Sequence, residues 1–191
     1  ITLEALEAKY QRAAEVSHAN YSFYIGATNE NLDVVKHVDF KKVCGVKAFL
    51  GASTGNMLVD NKNTLERMFS EVDSIIAIHS EDEAIIKANK ERLIGQYGEN
   101  LPVELHPMLR SAEACYECTA RAVEMAEKCG TRLHVLHLST ARELPLFEIK
   151  PIAEKKITAE VCVHHMWFDD SAYKTLGARI KCNPAVKTID D

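Results

Sequence analysis

Lys47, His79 and His137 are the residues whose types and placement invite chemistry. Lys47 stands inside Gly45-Val46-Lys47-Ala48-Phe49-Leu50, an apolar run that reads as a short buried strand closed by the loop Gly51-Ala52-Ser53-Thr54-Gly55. An ammonium placed there loses its hydration and gains nothing from apolar neighbours. Such a lysine requires a partner, a lowered pKa or a covalent change; otherwise it snorkels from a half-buried strand. His79 closes Ile75-Ile76-Ala77-Ile78, and His137 lies near the end of Leu133-His134-Val135-Leu136-His137-Leu138. An imidazole so placed serves as a metal ligand or as a polar cap. Together with a buried lysine, the ligand reading is favoured, since three or four nitrogen and oxygen donors around an open position suit a catalytic zinc.

The elements that position these groups follow from hydrophobic period and punctuation. A helix is expected over 2–15, with Leu3, Leu6, Tyr10 and Ala13 on one face, then a strand over 21–28 and a short helix burying Leu32, Val35 and Val38. The Lys47 strand precedes a helix faced by Leu65, Met68, Phe69 and Val72, and the His79 strand follows. Ser80-Glu81-Asp82-Glu83 has the form of a capping box and predicts a helix directly after His79, ending at Tyr97 before Gly98. Residues 101–110, with two prolines, read as a loop. A helix over 111–129 stops at Gly130, and the strand 133–138 leads into a second box, Thr140-Ala141-Arg142-Glu143. A fifth strand is expected over 157–165 and a sixth over 178–184.

Strands alternating with helices imply parallel α/β architecture. Polar residues gather at strand C-terminal ends, namely Asn29, His79, His137, His164 and His165, where barrels and open α/β sheets hold their sites. Strict alternation would put His134 and His137 on opposite faces, with His134 toward the helices, and would likewise split His164 from His165. His18, His37 and His106 close no apolar strand and are expected to be structural. No G-x-G-x-x-G follows a strand, so dinucleotide binding has no support. Five or six strands fall short of the eight of a (β/α)8 barrel, and residues 1–191 read as a single partial barrel domain.

Composition narrows the class. At 47% hydrophobic and 27% charged, the 191 residues are ordinary for a globular domain with a sizeable core. A net charge of −5 without a basic stripe weighs against nucleic acid and does not suggest a membrane surface. The apolar runs are strand-length, so none spans a bilayer. No signal peptide is visible, and the start Ile1-Thr2 without Met fits a lost natural start. Six scattered cysteines fit a reduced, cytoplasmic protein. Cys115 and Cys118 form a C-x-x-C, yet with Ala122, Met125 and Cys129 they continue a helical stripe, which reads as packing, not metal binding.

The ordered set Gly-Val-Lys47-Ala-Phe-Leu, Ile-His79-Ser-Glu-Asp, Leu-His-Val-Leu-His137-Leu-Ser-Thr, Glu160-Val-Cys-Val-His164-His165 and Lys181-Cys-Asn183-Pro184 resembles the cyclic amidohydrolases. These are metal-dependent barrel enzymes that include dihydroorotase, allantoinase and hydantoinase. The Asn183-Pro184 segment and the His164-His165 pair look most like the dihydroorotase branch. The resemblance implies that Lys47, carbamylated by carbon dioxide, bridges two zinc ions, with His79 and His137 on the second. It implies substrate contact for Asn183, and for His164 and His165 a supporting role behind the ligands at most. Where the family has Asn-Pro-Pro-hydrophobic-Arg, this sequence has Asn183-Pro184-Ala185-Val186-Lys187. The family's His-x-His of the first metal strand and its proton-shuttling aspartate are expected before Ile1 and after Asp191, so no catalytic residue is assigned within the chain.

The implied activity is interconversion of dihydroorotate and N-carbamoyl-aspartate in pyrimidine synthesis. Allantoinase, a dihydropyrimidinase-like hydantoinase and a catalytically silent scaffold are the alternatives. The 191 residues alone are expected to be inactive and to hold zinc weakly or not at all. Open strand edges would favour a homo-oligomer or cover by another chain.

Overall fold

Among the described residues the chain folds around five parallel strands: β1 (Tyr24–Gly26), β2 (Gly45–Phe49), β3 (Ile76–His79), β4 (Leu133–Leu138) and β5 (Ile157–Val161). They lie side by side in sequence order. This computed structural model describes residues 1–51 and 57–191; most of the loop expected after β2 lies outside the described residues. A doubly wound sheet reverses its strand order at a switch point. Here every strand pairs with its sequence neighbours and the order never reverses, as in an arc of a barrel.

Register decides which side chains share a face, because paired residues of adjacent strands point the same way. Gly26 pairs with Lys47, Lys47 with Ala77, Ala77 with His134 and His134 with Thr158. Phe49 pairs with His79 one step further along. The alternate residues Val46, Ala48, Ile76, Ile78, Leu133 and Val135 are almost wholly buried and belong to one core. Against them pack α2 (Leu32–Lys36), α3 (Lys62–Glu71) and α6 (Ala112–Cys129), through Leu32, Val35, Met68, Phe69, Ala122, Val123 and Ala126. Each such Leu, Ile or Val contributes roughly 1.5–3 kcal/mol on burial. Lys47, His79 and His134 therefore stand on the face away from these helices.

The helices begin and end where their caps dictate. Thr2 caps α1 (Leu3–Val16), its hydroxyl accepting from the Ala5 amide, and Ser111 caps α6 in the same way through Ala114. Gly130 ends α6 in the left-handed conformation, φ 69°, which glycine adopts without a Cβ penalty. Cys115 and Cys118 are buried on α6. Burial pushes their thiols up to about 12 and about 11, so they are inert packing groups, as the stripe predicts. All six cysteines are free. Among the described residues no helix is long and apolar enough to cross a membrane.

Several expectations are corrected. The helix after His79, α4 (Glu83–Tyr97), is capped by Asp82 and not by Ser80, whose hydroxyl is engaged by Thr119 at 2.9 Å. Residues 101–110 are not all loop, for α5 (His106–Leu109) lies among them. Thr140 does cap a helical segment, Ala141–Leu146, but that segment is a 3-10 helix; Pro145 within it lacks the amide an α-helix would need. The fifth strand ends at Val161, and the chain turns into α7 (Val163–Trp167), so His164 and His165 are helical and strand alternation does not separate them. The expected sixth strand is a 3-10 turn, Gly177–Ile180, followed by irregular chain. With α8 (Tyr173–Leu176) it packs a small second cluster of Tyr173, Ile180 and Val186.

Candidate metal centre

The pairing of β2 with β3 and of β3 with β4 brings Lys47, His79 and His137 together on the open face of the sheet. Nδ1 of His79 stands 3.1 Å from Nε2 of His137, with ring centroids 4.8 Å apart. Strict alternation would have turned His137 away if His134 faced inward. Instead, one extra residue enters β4 between Val135 and Leu138 relative to β5, and His137 takes φ 44°. This bulge breaks the alternation. His134 is consequently on the same face as His137, not toward the helices. It is tied there to Thr158 at 2.8 Å and to Glu160 at 3.2 Å. A positive φ in a residue other than glycine costs energy and persists where the surroundings enforce it, commonly at functional sites.

Glu81 completes the arrangement; in the sequence it stood only in the supposed capping box and within the Ile-His79-Ser-Glu-Asp segment, with no role assigned to it. It is fully buried, 2.7 Å from Nε2 of His79, and it accepts from the Arg110 guanidinium at 2.5 Å. Burial pushes the Glu81 carboxyl up, but the His79 bond and the Arg110 charge outweigh it and hold the group below its usual range. The carboxylate accepts from Nε2–H of His79 and so leaves the lone pair of His79 on Nδ1, facing His137. The backbone beside Glu81 admits no side chain: a Cβ at Gly51 would lie 1.8 Å from the Glu81 carbonyl oxygen.

Lys47 shows two of the three resolutions open to a buried lysine. Its Nζ donates to the Ala48 carbonyl at 3.1 Å and sits 3.8 Å from the Phe49 ring centroid, a cation–π contact. Burial lowers its pKa to about 8. His137 is pushed down to about 4, by burial first and then by the neighbouring His79 and Lys47. The unfolded histidine takes its proton near 6.5, so between that pH and about 4 the unfolded state binds more protons. Stability is therefore expected to fall as pH drops from about 6.5 to about 4. Urea midpoints measured across that window should show the slope, and His137→Gln should flatten it.

The donor set fits a zinc ion. Two imidazole nitrogens on one tetrahedral zinc stand about 3.3 Å apart, close to the 3.1 Å found here. The carboxylate behind His79 is the partner that orients a ligating imidazole. Nε2 of His137 is the nitrogen that faces His79, and Nδ1 of His137 is buried without a hydrogen-bond partner.

The remaining sequence candidates lie elsewhere. Asn183 is exposed, and its Oδ1 is 3.1 Å from Nε2 of His106, which also contacts the Cys182 carbonyl at 2.9 Å. His106 is thus a structural tie, as expected. His165 Nε2 donates to the Pro184 carbonyl at 3.0 Å. Lys187, buried, donates to Ser139 at 2.8 Å and to the Ala185 carbonyl at 3.1 Å. A cavity of about 640 Å³ is lined by Leu138, Phe147, Val161, Trp167 and Ile189 among others, and by none of Lys47, His79 and His137.

No family model matches the chain. It is 35% identical over 117 residues to a dihydroorotase of Deinococcus radiodurans, a match covering 61% of this chain and 27% of that protein. It is 26% identical over 195 residues to an allantoinase of Bacillus velezensis, covering all of this chain and 42% of the relative. Among solved structures, the L-hydantoinase of Arthrobacter aurescens superimposes with a TM-score of 0.89 at 22% identity, over 99% of this chain and 42% of that one. The chain thus spans less than half the length of these relatives. The fold is that of part of a hydantoinase barrel. The relatives are cyclic amidohydrolases acting on different substrates, and similarity favours none of them over the others.

Proposed function

We propose that this chain, akin to the cyclic amidohydrolases in sequence and in fold, supplies Lys47, His79 and His137 to the two-zinc site of a dihydroorotase. The observation that carries the proposal is the His79–His137 nitrogen pair, 3.1 Å apart and backed by Glu81, on the sheet face that also bears Lys47. Zinc, when bound, supplies Lewis-acid activation of water and of the amide carbonyl. The rest is the work of the chain's own residues. Glu81 fixes the tautomer and tilt of His79, and the bulge at His137 aims that ring at the same point. Lys47, with its pKa near 8, holds a large fraction of free amine at mildly alkaline pH. Its Nζ attacks carbon dioxide, forming an N–C bond and releasing one proton, which turns a costly buried ammonium into an anionic carbamate with two donor oxygens.

Dihydroorotate is the preferred ring. The Asn183-Pro184 segment and the His164-His165 pair support it. In this reading Asn183 exchanges its His106 contact for substrate. Allantoin or a hydantoin is the second reading, since the match to an allantoinase extends over all of this chain. Retention of three ligands and their carboxylate support speaks against a silent scaffold. The complete protein, loaded with zinc, should hydrolyse dihydroorotate at a far higher kcat/KM than allantoin or hydantoin. Turnover of allantoin alone would overturn the substrate assignment, and loss of no activity in His79→Ala would overturn the site.

A further inference from the structure

We propose a second cation site, formed by Cys162, His164 and His165, that takes a zinc-like divalent ion through one thiolate and two imidazoles. Among the described residues these three form the one group whose donor atoms all lie within 4.8 Å of one another. It is separate in the chain from the Lys47–His79–His137 centre and independent of the function proposed for that centre.

The local fold builds the group from a single turn. β5 ends at Val161, Cys162 stays extended at φ −82° and ψ 145°, and α7 then carries the two histidines. The His165 amide donates to the Cys162 carbonyl at 3.0 Å, which closes the turn. The imidazole rings of His164 and His165 come to a centroid separation of 4.3 Å. The three donors are half-buried, whereas Val163, Met166 and Trp167 of the same turn are 76%, 66% and 82% exposed. The turn thus turns its donors inward and leaves its apolar side chains in solvent, the reverse of what core packing would favour.

His165 is also prepared in the way that ligating histidines are. Its Nε2–H is committed to the Pro184 carbonyl at 3.0 Å, and the Cys182 thiol donates to the same carbonyl at 3.2 Å. A ring with its proton held at Nε2 has its lone pair on Nδ1. That Nδ1 is buried and has no hydrogen-bond partner. A buried acceptor left unpaired costs about 1–3 kcal/mol, which a bound cation removes. The donor chemistry selects the ion: a thiolate with imidazoles suits zinc, not magnesium or calcium, and three protein donors leave a fourth position for water.

Cobalt(II) titration of the reduced, metal-free protein tests the site, because a thiolate ligand gives cobalt an intense near-ultraviolet charge-transfer band that imidazole and carboxylate ligands do not. The band should appear, saturate at one equivalent and be displaced by zinc. Cys162→Ser should abolish it, and His164→Ala and His165→Ala should each weaken binding by at least about tenfold. His79→Ala and Cys115→Ser should leave it intact, which separates this site from the Lys47 centre and from the α6 thiols. Absence of the band, or its persistence in Cys162→Ser, would overturn the proposal. A measurement on the unsubstituted chain covers the case in which a variant fails to fold. Zinc should slow alkylation of Cys162, read by peptide mass, by at least about tenfold, and equal rates with and without zinc would equally overturn the assignment.

Discussion

Lys47→Met in the complete protein is expected to lower cyclic-amide hydrolysis by at least about a thousandfold while leaving the fold slightly more stable. The loss follows from the role proposed for the amine, since metal-borne charge stabilisation is worth several kcal/mol and each 1.36 kcal/mol is a factor of ten in rate. The gain follows from burial. Removing an amine whose pKa is held near 8 by desolvation removes a cost, offset by loss of the Phe49 and Ala48 contacts. The expected net stabilisation is about 1–2 kcal/mol. The pH dependence gives an independent check. The unfolded lysine keeps its proton to 10.5 and the folded one loses it near 8, so in that window the unfolded state binds more protons and stability rises with pH. Urea denaturation of the metal-free protein at pH 7.5 and 10 should show this rise, and Lys47→Met should lack it. A variant that keeps full activity, or that loses stability at pH 7.5, would contradict the role and the energetics respectively.

Glu81→Ala should be the most damaging single change to stability at this site, by about 3–5 kcal/mol. The carboxylate is fully buried between His79 and Arg110, whose side chain is itself only 15% exposed. Deleting it leaves a largely buried guanidinium without its partner. Glu81→Gln keeps the shape and one acceptor, and should cost less. Both variants should also weaken zinc binding by roughly 10–100-fold, because the His79 ring loses the group that fixes its tautomer. Thermal unfolding and a chelator competition would separate the two effects. If Glu81→Ala lowered stability but left zinc affinity unchanged, the orienting role would be wrong and only the ion pair would stand.

What the sequence made legible was whatever depends on period and punctuation. The strand ending at His79, the strand 133–138, and α6 with Ser111 and Gly130 at its ends all followed from alternation, 3.6-residue spacing and capping residues. Lys47 and the two histidines could be singled out because polar groups at the ends of apolar strands are unusual. What stayed hidden depends on tertiary context. The bulge at His137 has no local signature, since histidine does not advertise a positive φ, and it reversed the expected facing of His134. Glu81 looked like one letter of a capping box, whereas it is the buried carboxylate that joins β3 to Arg110. Residues 157–165 were apolar enough to read as one strand, but the chain turns after Val161 and sets Cys162, His164 and His165 on a single turn.

The sequential strand order has a consequence for how the chain acquires its structure. Each strand of the sheet pairs with the one made just before it, never with one made much later. Loop closure for each pairing therefore spans only the segment between consecutive strands, longest between β3 and β4 where α4, α5 and α6 intervene, and its entropic cost grows only slowly with that length. Such a sheet can be laid down strand by strand as the polypeptide emerges, each new unit adding to an edge already in place. The His79–His137 contact forms only when β4 docks on β3, so the site is a late product of a process whose earlier steps need no histidine at all.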